Sequence, residues 1–443
     1  MTVRRSLALM LVAMLAICAG VVVAPAAFGA PRCIGAAATI VGTDGDDEIE
    51  GTRRRDVIVT RRGSDIVNGR GGGDVICTGG DDDFVRGGAG NDRIMTGGSS
   101  DTAHGGEGRD HISTGAGALD ALFGGEGDDT LTGGPGSFDG LIGGEGDDVL
   151  DGDAGLDIAY FFDAPNGVEA ELLSGLATGH GSDQLADVEG VVGSNHDDVL
   201  LGDDGSNLLS GQGGDDRIEA RGSGPVGTSD ADVLDGGDGD DVLDGGEGGD
   251  FVRYEDSPNG VTVDLAAGTA TGWGTDDLIA IEAAIGSVFD DALLGDGGDN
   301  AFVPGPGDDA VDGRAGTDEI VYVDALEPVV VDLAAGTATG WGTDALAAIE
   351  NARGTAGADT LAGDDGPNLL VGGSGGDGLE GAGGDDTLLG AGGTDTADGG
   401  AGDDACDAET EMACERDVGE ASSAAWSSRS WSRDPGHRAT FGG

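Results

Sequence analysis

The chain has 443 residues, of which 93 are glycine and 86 are aspartate or glutamate, against 21 basic residues and a formal net charge of -65. This composition excludes an ordinary globular enzyme core, because glycine buries no side chain and uncompensated charge opposes compaction. The chain is therefore either disordered or folded by a cation. Nucleic acid is excluded as a partner, because phosphate binding needs clustered basic residues.

Residues 1–26 have the features of a secretory signal peptide. Arg4 and Arg5 precede an apolar run that ends at Val23, and an Ala-x-Ala cleavage pattern follows at residues 24–26. The alternative is an uncleaved membrane anchor, since the run is nearly long enough to cross a bilayer. We predict cleavage and no membrane span in the mature chain, because no second apolar run of comparable length occurs.

Residues 27–41 are predicted to form an N-terminal cap, which would protect the exposed end of a sheet from edge pairing. The repeat units that follow the cap are irregular. Arg53, Arg54 and Arg55 stand where a glycine turn is expected, and Ser99 and Ser100 replace the glycines before a later aspartate. We expect the arginine-bearing units to stack without binding metal well.

A nine-residue period begins at Gly42 and organises most of the mature chain. Aspartate recurs every nine residues, with two single-residue insertions, and an aliphatic residue follows two positions after nearly every aspartate. The first series comprises Asp47, Asp56, Asp65, Asp74, Asp83, Asp92, Asp101, Asp110, Asp120, Asp129, Asp139, Asp148 and Asp157. Glycine is concentrated just before each aspartate, as in GGEGDDVLD at residues 143–151. The aspartates and the aliphatic residues keep the same spacing throughout this series, and composition alone does not produce such regularity.

The physical chemistry of one unit predicts an all-β fold, a parallel β-roll (β-solenoid). Glycine and aspartate favour a sharp turn, and the next three residues suit a short strand. If two units make one coil, the strands form two parallel sheets with the aliphatic residues between them, at about 4.8 Å per coil. The same geometry stacks the aspartates, and two carboxylates about 4 Å apart repel by about 4 kcal/mol. A divalent cation would relieve this repulsion.

Three related spacers interrupt the repeats. They comprise residues 161–192, 254–285 and 322–353. The segment 266–276 recurs without change as 334–344. Alternating apolar residues predict a strand in each spacer, whereas residues 277–285 fit helix or strand equally. Trp273 and Trp341 either form a ridge that binds a glycan or a partner, or simply cover the solenoid.

The spacers divide the chain into four arrays, followed by a tail. The arrays comprise residues 42–160, 193–253, 286–321 and 354–418, the last with a C-terminal cap. Residues 419–443 change to serine, arginine, alanine and tryptophan, which predicts a disordered tail. In the second unit of arrays 2 to 4, asparagine replaces aspartate, at Asn207, Asn300 and Asn368. Asparagine keeps an oxygen ligand but loses the charge, so these sites are predicted to be weak or empty.

Four cysteines remain after cleavage, namely Cys33, Cys77, Cys406 and Cys414. An even number in an exported chain suggests disulfides, with three pairings open. We favour the pairings that are local in sequence, Cys33 with Cys77 and Cys406 with Cys414. The rival interpretation, a metal site, lacks a C-x-x-C pair and nearby histidine ligands.

The pattern G-G-x-G-x-D-x-U-x, in which U is a large aliphatic residue, resembles the haemolysin-type calcium-binding repeat of the RTX (repeats-in-toxin) family. The resemblance covers roughly residues 42–407, with three interruptions. It implies a parallel β-roll that binds multiple calcium ions, each between the turns of successive coils. Aspartate side chains and carbonyl groups of the glycine turns would be the ligands.

Carried over to this sequence, the resemblance implies calcium ligands at Asp74, Asp92, Asp110, Asp129, Asp148, Asp157, Asp216, Asp241, Asp250, Asp309, Asp318, Asp377, Asp386, Asp395 and Asp404. Aspartates eighteen residues apart, such as Asp74 and Asp92, would share an ion. For each aspartate taken alone, the alternative is a solvated turn residue.

Catalytic motifs are missing from the sequence. There is no H-E-x-x-H, and the one G-x-S-x-G, at residues 372–376, lies in a repeat turn without the strand–turn–helix context that the motif needs. We therefore predict a secreted, extracellular, non-enzymatic calcium-binding protein with a structural or adhesive role. Its partner would be a cell-surface glycan or protein. The alternative is the calcium-dependent carrier part, or the remnant, of an RTX-type secreted hydrolase or cytolysin.

Overall fold

The structure is a computed structural model that describes residues 31–117, 119–136, 138–222, 231–414 and 416–417. The predicted signal peptide and disordered tail lie outside these residues. Within them the protein is all-β, apart from one 3₁₀ turn at Leu172–Ser174. A helix long and apolar enough to cross a membrane is not found in these ranges.

The strands alternate between two parallel sheets that enclose one apolar core. Sheet 1 begins at Ile40–Val41 and has 25 strands, and sheet 2 begins at Glu48–Glu50 and has 19. In the regular coils, strands of one sheet pair at 18 or 19 residues, so that Ile76 lies opposite Ile94. Two nine-residue units therefore make one coil, and the predicted parallel β-roll is confirmed.

The strands of each sheet are short, mostly three to seven residues. Sheet 1 consists of Ile40–Val41, Val57–Arg62, Val75–Gly80, Arg93–Gly98, His111–Ser113, Thr130–Gly134, Val149–Asp153, Glu169–Glu171, Leu176–Thr178, Ser182–Ala186, Val199–Leu201, Arg217–Glu219, Val242–Asp244, Thr262–Asp264, Thr269–Thr271, Thr275–Ile279, Ala292–Leu294, Ala310–Asp312, Val330–Asp332, Thr337–Thr339, Thr343–Ala347, Thr360–Ala362, Gly378–Glu380, Thr396–Asp398 and Thr410–Met412. Sheet 2 consists of Glu48–Glu50, Ile66–Asn68, Phe84–Ala89, Thr102–Glu107, Asp120–Glu126, Asp139–Glu145, Ile158–Tyr160, Gly190–Val192, Leu208–Ser210, Val233–Asp235, Phe251–Arg253, Ala283–Ile285, Ala301–Val303, Glu319–Val321, Asn351–Arg353, Leu369–Gly375, Thr387–Gly393, Ala405–Asp407 and Arg416–Asp417.

The aliphatic residue of each unit points into the space between the sheets. Ile76, Ile94 and Ile112 of sheet 1 are fully buried, as are Val85 and Leu122 of sheet 2. Burying one such side chain contributes about 1.5–3 kcal/mol, but each unit supplies only one. The core is therefore continuous along the solenoid but thin in each coil.

Each spacer adds three strands to sheet 1 where a regular coil adds one. In the second spacer, Thr269–Thr271 pairs antiparallel with both Thr262–Asp264 and Thr275–Ile279. These two outer strands pair in parallel with the neighbouring coils, and the other spacers are built in the same way. Residues 277–285 thus contribute to strands. Sheet 1 gains two extra strands, about 10 Å of length, at each spacer, so the two sheets cannot run straight side by side.

The spacers are coils of the solenoid rather than a layer laid over it. Tyr254, Val263 and Leu278 of the second spacer are buried in the same core as the repeat residues. Trp341 packs against this core and stays partly exposed, and Trp273 is half-buried. The spacers therefore enlarge the core of the coils that contain them.

Both disulfides join elements at the ends of the described solenoid. Arg32–Cys33 and Ala36–Ala37 form an antiparallel hairpin, and Cys33 is bonded to Cys77 of sheet 1. The second disulfide joins Cys406 to Cys414 in the last coils. The two favoured pairings are confirmed.

Candidate metal centre

Two rows of turn residues run along the solenoid, one before the strands of each sheet. Row 1 precedes sheet 1 and contains Asp56, Asp74, Asp92, Asp110, Asp129, Asp148, Asp183, Asp198, Asp216, Asp241, Asp276, Asp291, Asp309, Asp344, Asp359, Asp377 and Asp395. Row 2 precedes sheet 2 and contains Asp47, Asp65, Asp83, Asp101, Asp120, Asp139, Asp157, Glu189, Asn207, Asp232, Asp250, Glu282, Asn300, Asp318, Glu350, Asn368, Asp386 and Asp404. All fifteen aspartates that the sequence singles out lie in these rows.

A repeated hydrogen bond fixes one oxygen of each row carboxylate. The backbone N–H of Asp74 donates to Oδ1 of Asp92 at 2.6 Å, and that of Asp92 donates to Oδ1 of Asp110 at 2.7 Å. The same bond recurs along both rows, for example from Asp377 to Asp395 at 2.9 Å. The carboxylates are therefore held in register from coil to coil, and only Oδ2 is left to bind something else.

The second oxygen of many row aspartates is buried without a hydrogen-bond partner. Among the described residues, the aspartates of this kind whose turn has no threonine at the glycine position include Asp74, Asp92, Asp110, Asp129, Asp139, Asp148, Asp157, Asp216, Asp241, Asp309, Asp318, Asp377 and Asp386. We call the turns that end at these aspartates open turns. An unsatisfied buried acceptor costs about 1–3 kcal/mol, and more if it is charged. Each open turn therefore needs a cation or a proton.

Glycine creates a small space beside nearly all of these oxygens, the exception being Asp309, where Pro304 takes the glycine position. A Cβ atom on Gly69 would lie 2.6 Å from Oδ2 of Asp74 and 2.5 Å from the carbonyl oxygen of Gly87 in the next coil. In the next turn of the row, Oδ2 of Asp92 lies in the same position beside Gly87. Because glycine has no side chain, a carboxylate oxygen and a carbonyl oxygen face one unfilled space.

Burial makes the open-turn carboxylates hard to ionise without a cation. Burial raises the pKa of Asp92 to about 7, and the charges of Asp110 and Asp74 raise it further. Burial likewise raises the pKa values of Asp216 and Asp309 to about 8. A divalent cation beside Oδ2 would favour the ionised form and offset this cost.

The residues present fit calcium and do not fit zinc. In the part of the chain that the structure describes, no three His, Cys, Asp or Glu side chains converge on one point. An ion in an open turn would therefore be held by few carboxylates together with backbone carbonyl oxygens. Calcium takes six to eight oxygen ligands of this mixed kind, whereas zinc prefers nitrogen and sulfur.

Other turns of the rows are closed by the protein itself. The backbone N–H of Ser287 donates to Oδ2 of Asp291 at 2.5 Å, and its hydroxyl donates to Oδ1 at 2.8 Å. The same closure occurs in the pairs Thr52–Asp56, Ser194–Asp198 and Thr355–Asp359. The signature G-[ST]-x-x-x-D identifies these closed turns in the sequence, but we had not separated it from the open pattern.

The asparagine turns are closed in a related way. Oδ1 of Asn300 accepts the backbone N–H of Asp296 at 2.8 Å, and Asn207 and Asn368 have the same bond. Oδ1 of Asp296 in turn accepts the N–H of Gly298 at 2.7 Å. That these sites are weak or empty remains a prediction, now with a hydrogen-bond network that favours it.

Row 2 contains aspartates that sequence reasoning left out of its ligand set. They are Asp65, Asp83, Asp101, Asp120, Asp139 and Asp232. Their spacing of 18 or 19 residues to the next row member could have shown that they stack. Threonine replaces the glycine before four of them, and the hydroxyl of Thr60 donates to the carbonyl of Thr78 at 2.9 Å. Glu189, Glu282 and Glu350 of the spacers also take row positions, which the sequence did not reveal.

The fold and the rows define a class of protein, a parallel β-solenoid with oxygen-lined turns suited to a hard divalent cation. A family model described as an RTX calcium-binding nonapeptide repeat matches residues 41–76, 78–112, 95–118, 114–137, 139–160, 192–222, 226–252, 353–388 and 380–409. Because these segments cover more than half of the chain, the protein belongs to this calcium-binding family, and the resemblance is confirmed. No curated protein matches the chain.

Proposed function

We propose that this is a secreted, non-enzymatic protein that folds by binding several calcium ions, with a structural or adhesive role outside the cell. The observation that carries the proposal is the buried, unpaired Oδ2 of the open turns, next to a carbonyl oxygen and an empty glycine position. The fifteen aspartates implied by the family resemblance would be its ligands.

Export is supported by the signal-like N-terminal segment and by the two disulfides, which persist in oxidising compartments. Extracellular calcium modules bind at about 10⁻⁴–10⁻³ M. Sites of that affinity stay largely empty at the low calcium level inside a cell and fill outside it. Folding would then follow export.

An adhesive role is supported by an aromatic surface on sheet 2. The rings of Phe84 and His104 lie 5.5 Å apart, and those of His104 and Phe123 are stacked at 4.3 Å. Arg86 covers the ring of Phe84, and Glu107 lies beside the stack. Flat rings flanked by hydrogen-bonding groups suit a sugar ring, so a cell-surface glycan is the partner we propose.

A calcium titration of the mature chain, followed by circular dichroism, tests the calcium-folding proposal. We expect a coil-dominated spectrum in chelator and a β-rich spectrum in calcium. An unchanged spectrum at ~10 mM calcium, above the weak end of the extracellular range, would contradict it.

Glycan-array binding of the calcium-loaded protein tests the adhesive role, with His104→Ala as the variant that breaks the aromatic stack. Hydrolytic or lytic activity in the same sample would favour the carrier interpretation instead.

A further inference from the structure

Open turns are not spread evenly along the chain. In the described part, the open-turn aspartates fall within residues 74–157, 216–241, 309–318 and 377–386, which we call the open blocks. Residues 158–215, 251–308 and 319–376 contain no buried carboxylate oxygen that lacks a hydrogen-bond partner. We call these three segments the closed modules, and each contains one spacer and the two units that follow it.

Hydrogen bonds within the protein close every row position of the second module. The hydroxyl of Tyr254 donates to Oδ2 of Asp276 at 2.7 Å, and Oε2 of Glu282 accepts the backbone N–H of Asp250 at 3.0 Å. The next two row positions are the Ser287–Asp291 and Asp296–Asn300 turns described above. No row residue of this module has a buried carboxylate oxygen that lacks a hydrogen-bond partner.

The third module repeats the same four closures with other residues. The hydroxyl of Tyr322 donates to Oδ2 of Asp344 at 2.7 Å, and Oε2 of Glu350 accepts the N–H of Asp318 at 2.9 Å. Thr355 closes the turn of Asp359, and Asn368 closes the next turn. The arrangement occurs in both of these related modules, so the closure is a property of the module.

The closed modules also have the larger cores. Tyr254, Tyr322 and Phe302 are the largest fully buried side chains among the described residues, and all three belong to these modules. A buried ion pair between Arg353 and Glu319 at 3.1 Å lies within the third module. Another, between Arg253 and Asp235 at 3.2 Å, joins the second module to the preceding block. An aromatic side chain buries roughly 150–250 Å², far more than the single aliphatic residue of an open unit. Each module therefore has its own driving force for folding.

The first module is closed less tightly than the other two. Phe161 takes the place of Tyr254 and Tyr322 and has no hydroxyl to donate to Asp183. The Ser194–Asp198 closure and the Asn207 closure are both kept. Any folding without calcium should therefore be weakest here.

We propose that calcium binds only outside the closed modules and that these modules fold without it. The metal-free protein is then a string of folded modules joined by calcium-requiring segments, and calcium completes the solenoid by ordering the blocks between them. This inference rests on the proposed function, because it assumes that calcium is the ion that folds the open turns.

Hydrogen–deuterium exchange of the full mature chain, read by mass spectrometry in chelator and in ~10 mM calcium, tests the inference. In chelator, we expect amides of Ala292–Leu294 and Ala301–Val303 to exchange at least about tenfold more slowly than those of Arg93–Gly98 and Thr130–Gly134. In calcium, both sets should be protected.

Two variants test the second closed module and an open block separately. Ser287→Ala removes a hydroxyl that closes the second module, so it should speed exchange of Ala292–Leu294 in chelator. Asp110→Asn alters an open turn, so it should change exchange of Arg93–Gly98 and His111–Ser113 in calcium but leave the module in chelator unchanged.

The exchange experiment distinguishes a failure of the closed-module inference from a failure of the calcium-folding proposal. Equal, fast exchange of modules and blocks in chelator, with protection of both in calcium, would overturn the inference and leave the calcium-folding proposal intact. No response of the open blocks to calcium would overturn the proposed function itself.

Discussion

At the residue scale, glycine and aspartate act as a pair in the open turns. The aspartate fixes its Oδ1 on the backbone of the preceding coil, which directs Oδ2 toward the glycine five residues earlier in its own turn. Any Cβ at that glycine would fill the space that an ion needs. In the closed turns, a serine or threonine four residues before the aspartate donates hydrogen bonds to it instead. One side chain thus decides whether a turn needs a cation.

Gly87→Ala tests the role of this space. The new Cβ would overlap Oδ2 of Asp92 and lie 2.8 Å from the carbonyl oxygen of Gly105, so we expect the loss of one calcium site. A lost site costs about 3 kcal/mol at a calcium concentration a hundredfold above its Kd. Calorimetric calcium titration and chemical unfolding in calcium would measure both effects.

Gly80→Ala is the matched control, because a Cβ at Gly80 meets no atom within 4 Å. Equal losses in the two variants would show that alanine destabilises the turn in general. They would contradict a specific role for the space beside Asp92.

At the element scale, the spacers change the sheet without interrupting the core. Each replaces one strand of sheet 1 by an antiparallel set of three, and its buried residues join the continuous core. Tyrosine hydroxyls of the second and third spacers close the row positions of Asp276 and Asp344. The spacers are therefore structural units of the solenoid whose turns are closed by the protein.

Tyr254→Phe tests this closure. It removes the donor to Oδ2 of Asp276 while keeping the buried ring, so we expect a loss of about 1–3 kcal/mol in the free energy of unfolding. The midpoint of denaturant unfolding in calcium would measure the loss. Tyr322→Phe should give a similar value, and calcium stoichiometry should not change in either variant. A lost calcium ion would show that these positions bind metal after all.

At the scale of the whole molecule, the charge of -65 and the buried rows of carboxylates oppose folding of the metal-free chain. Stacked carboxylates destabilise the metal-free solenoid, and calcium binding to the folded state alone stabilises it by mass action. Protons can replace calcium in part, because a protonated carboxyl group is neutral. Calcium and pH should therefore act on the same turns.

Acidification should favour folding in the absence of calcium. Burial raises the pKa values of Asp129 and Asp148 to about 7, so the folded chain binds more protons than the unfolded chain between about pH 4 and 7. The contribution of these groups to stability is greatest below about pH 4 and is lost as the pH rises through 7. In chelator, the β signal in circular dichroism should grow as the pH falls from 8 to about 5.

With calcium present, the pH dependence of folding should reverse, so that acidification opposes folding. Protonated carboxyl groups bind calcium poorly, so the calcium concentration at half-folding should rise as the pH falls below 7. A midpoint that does not change between pH 8 and 6 would contradict the participation of these aspartates in calcium binding.

The coil, the two rows and the positions of the fifteen predicted ligands in them follow from the order of the amino acids alone. These depend on a local period, because a nine-residue repeat of glycine turn and aliphatic strand can be stacked in few ways. The sequence also indicated the disulfides, since Cys33 with Cys77 and Cys406 with Cys414 were the nearest pairings.

The closure of the spacer positions is visible only in the folded chain. The pairing of Tyr254 with Asp276 joins residues 22 apart, and the spacer strands enter sheet 1 in reverse order, so that Thr275–Ile279 rather than Thr262–Asp264 adjoins the preceding coil. The nine-residue period does not predict such contacts, because they depend on which side chains of neighbouring coils lie next to each other. Whether a carboxylate is left unpaired depends on such neighbours. We propose that this difference separates the turns that bind calcium from those that hydrogen bonds already close.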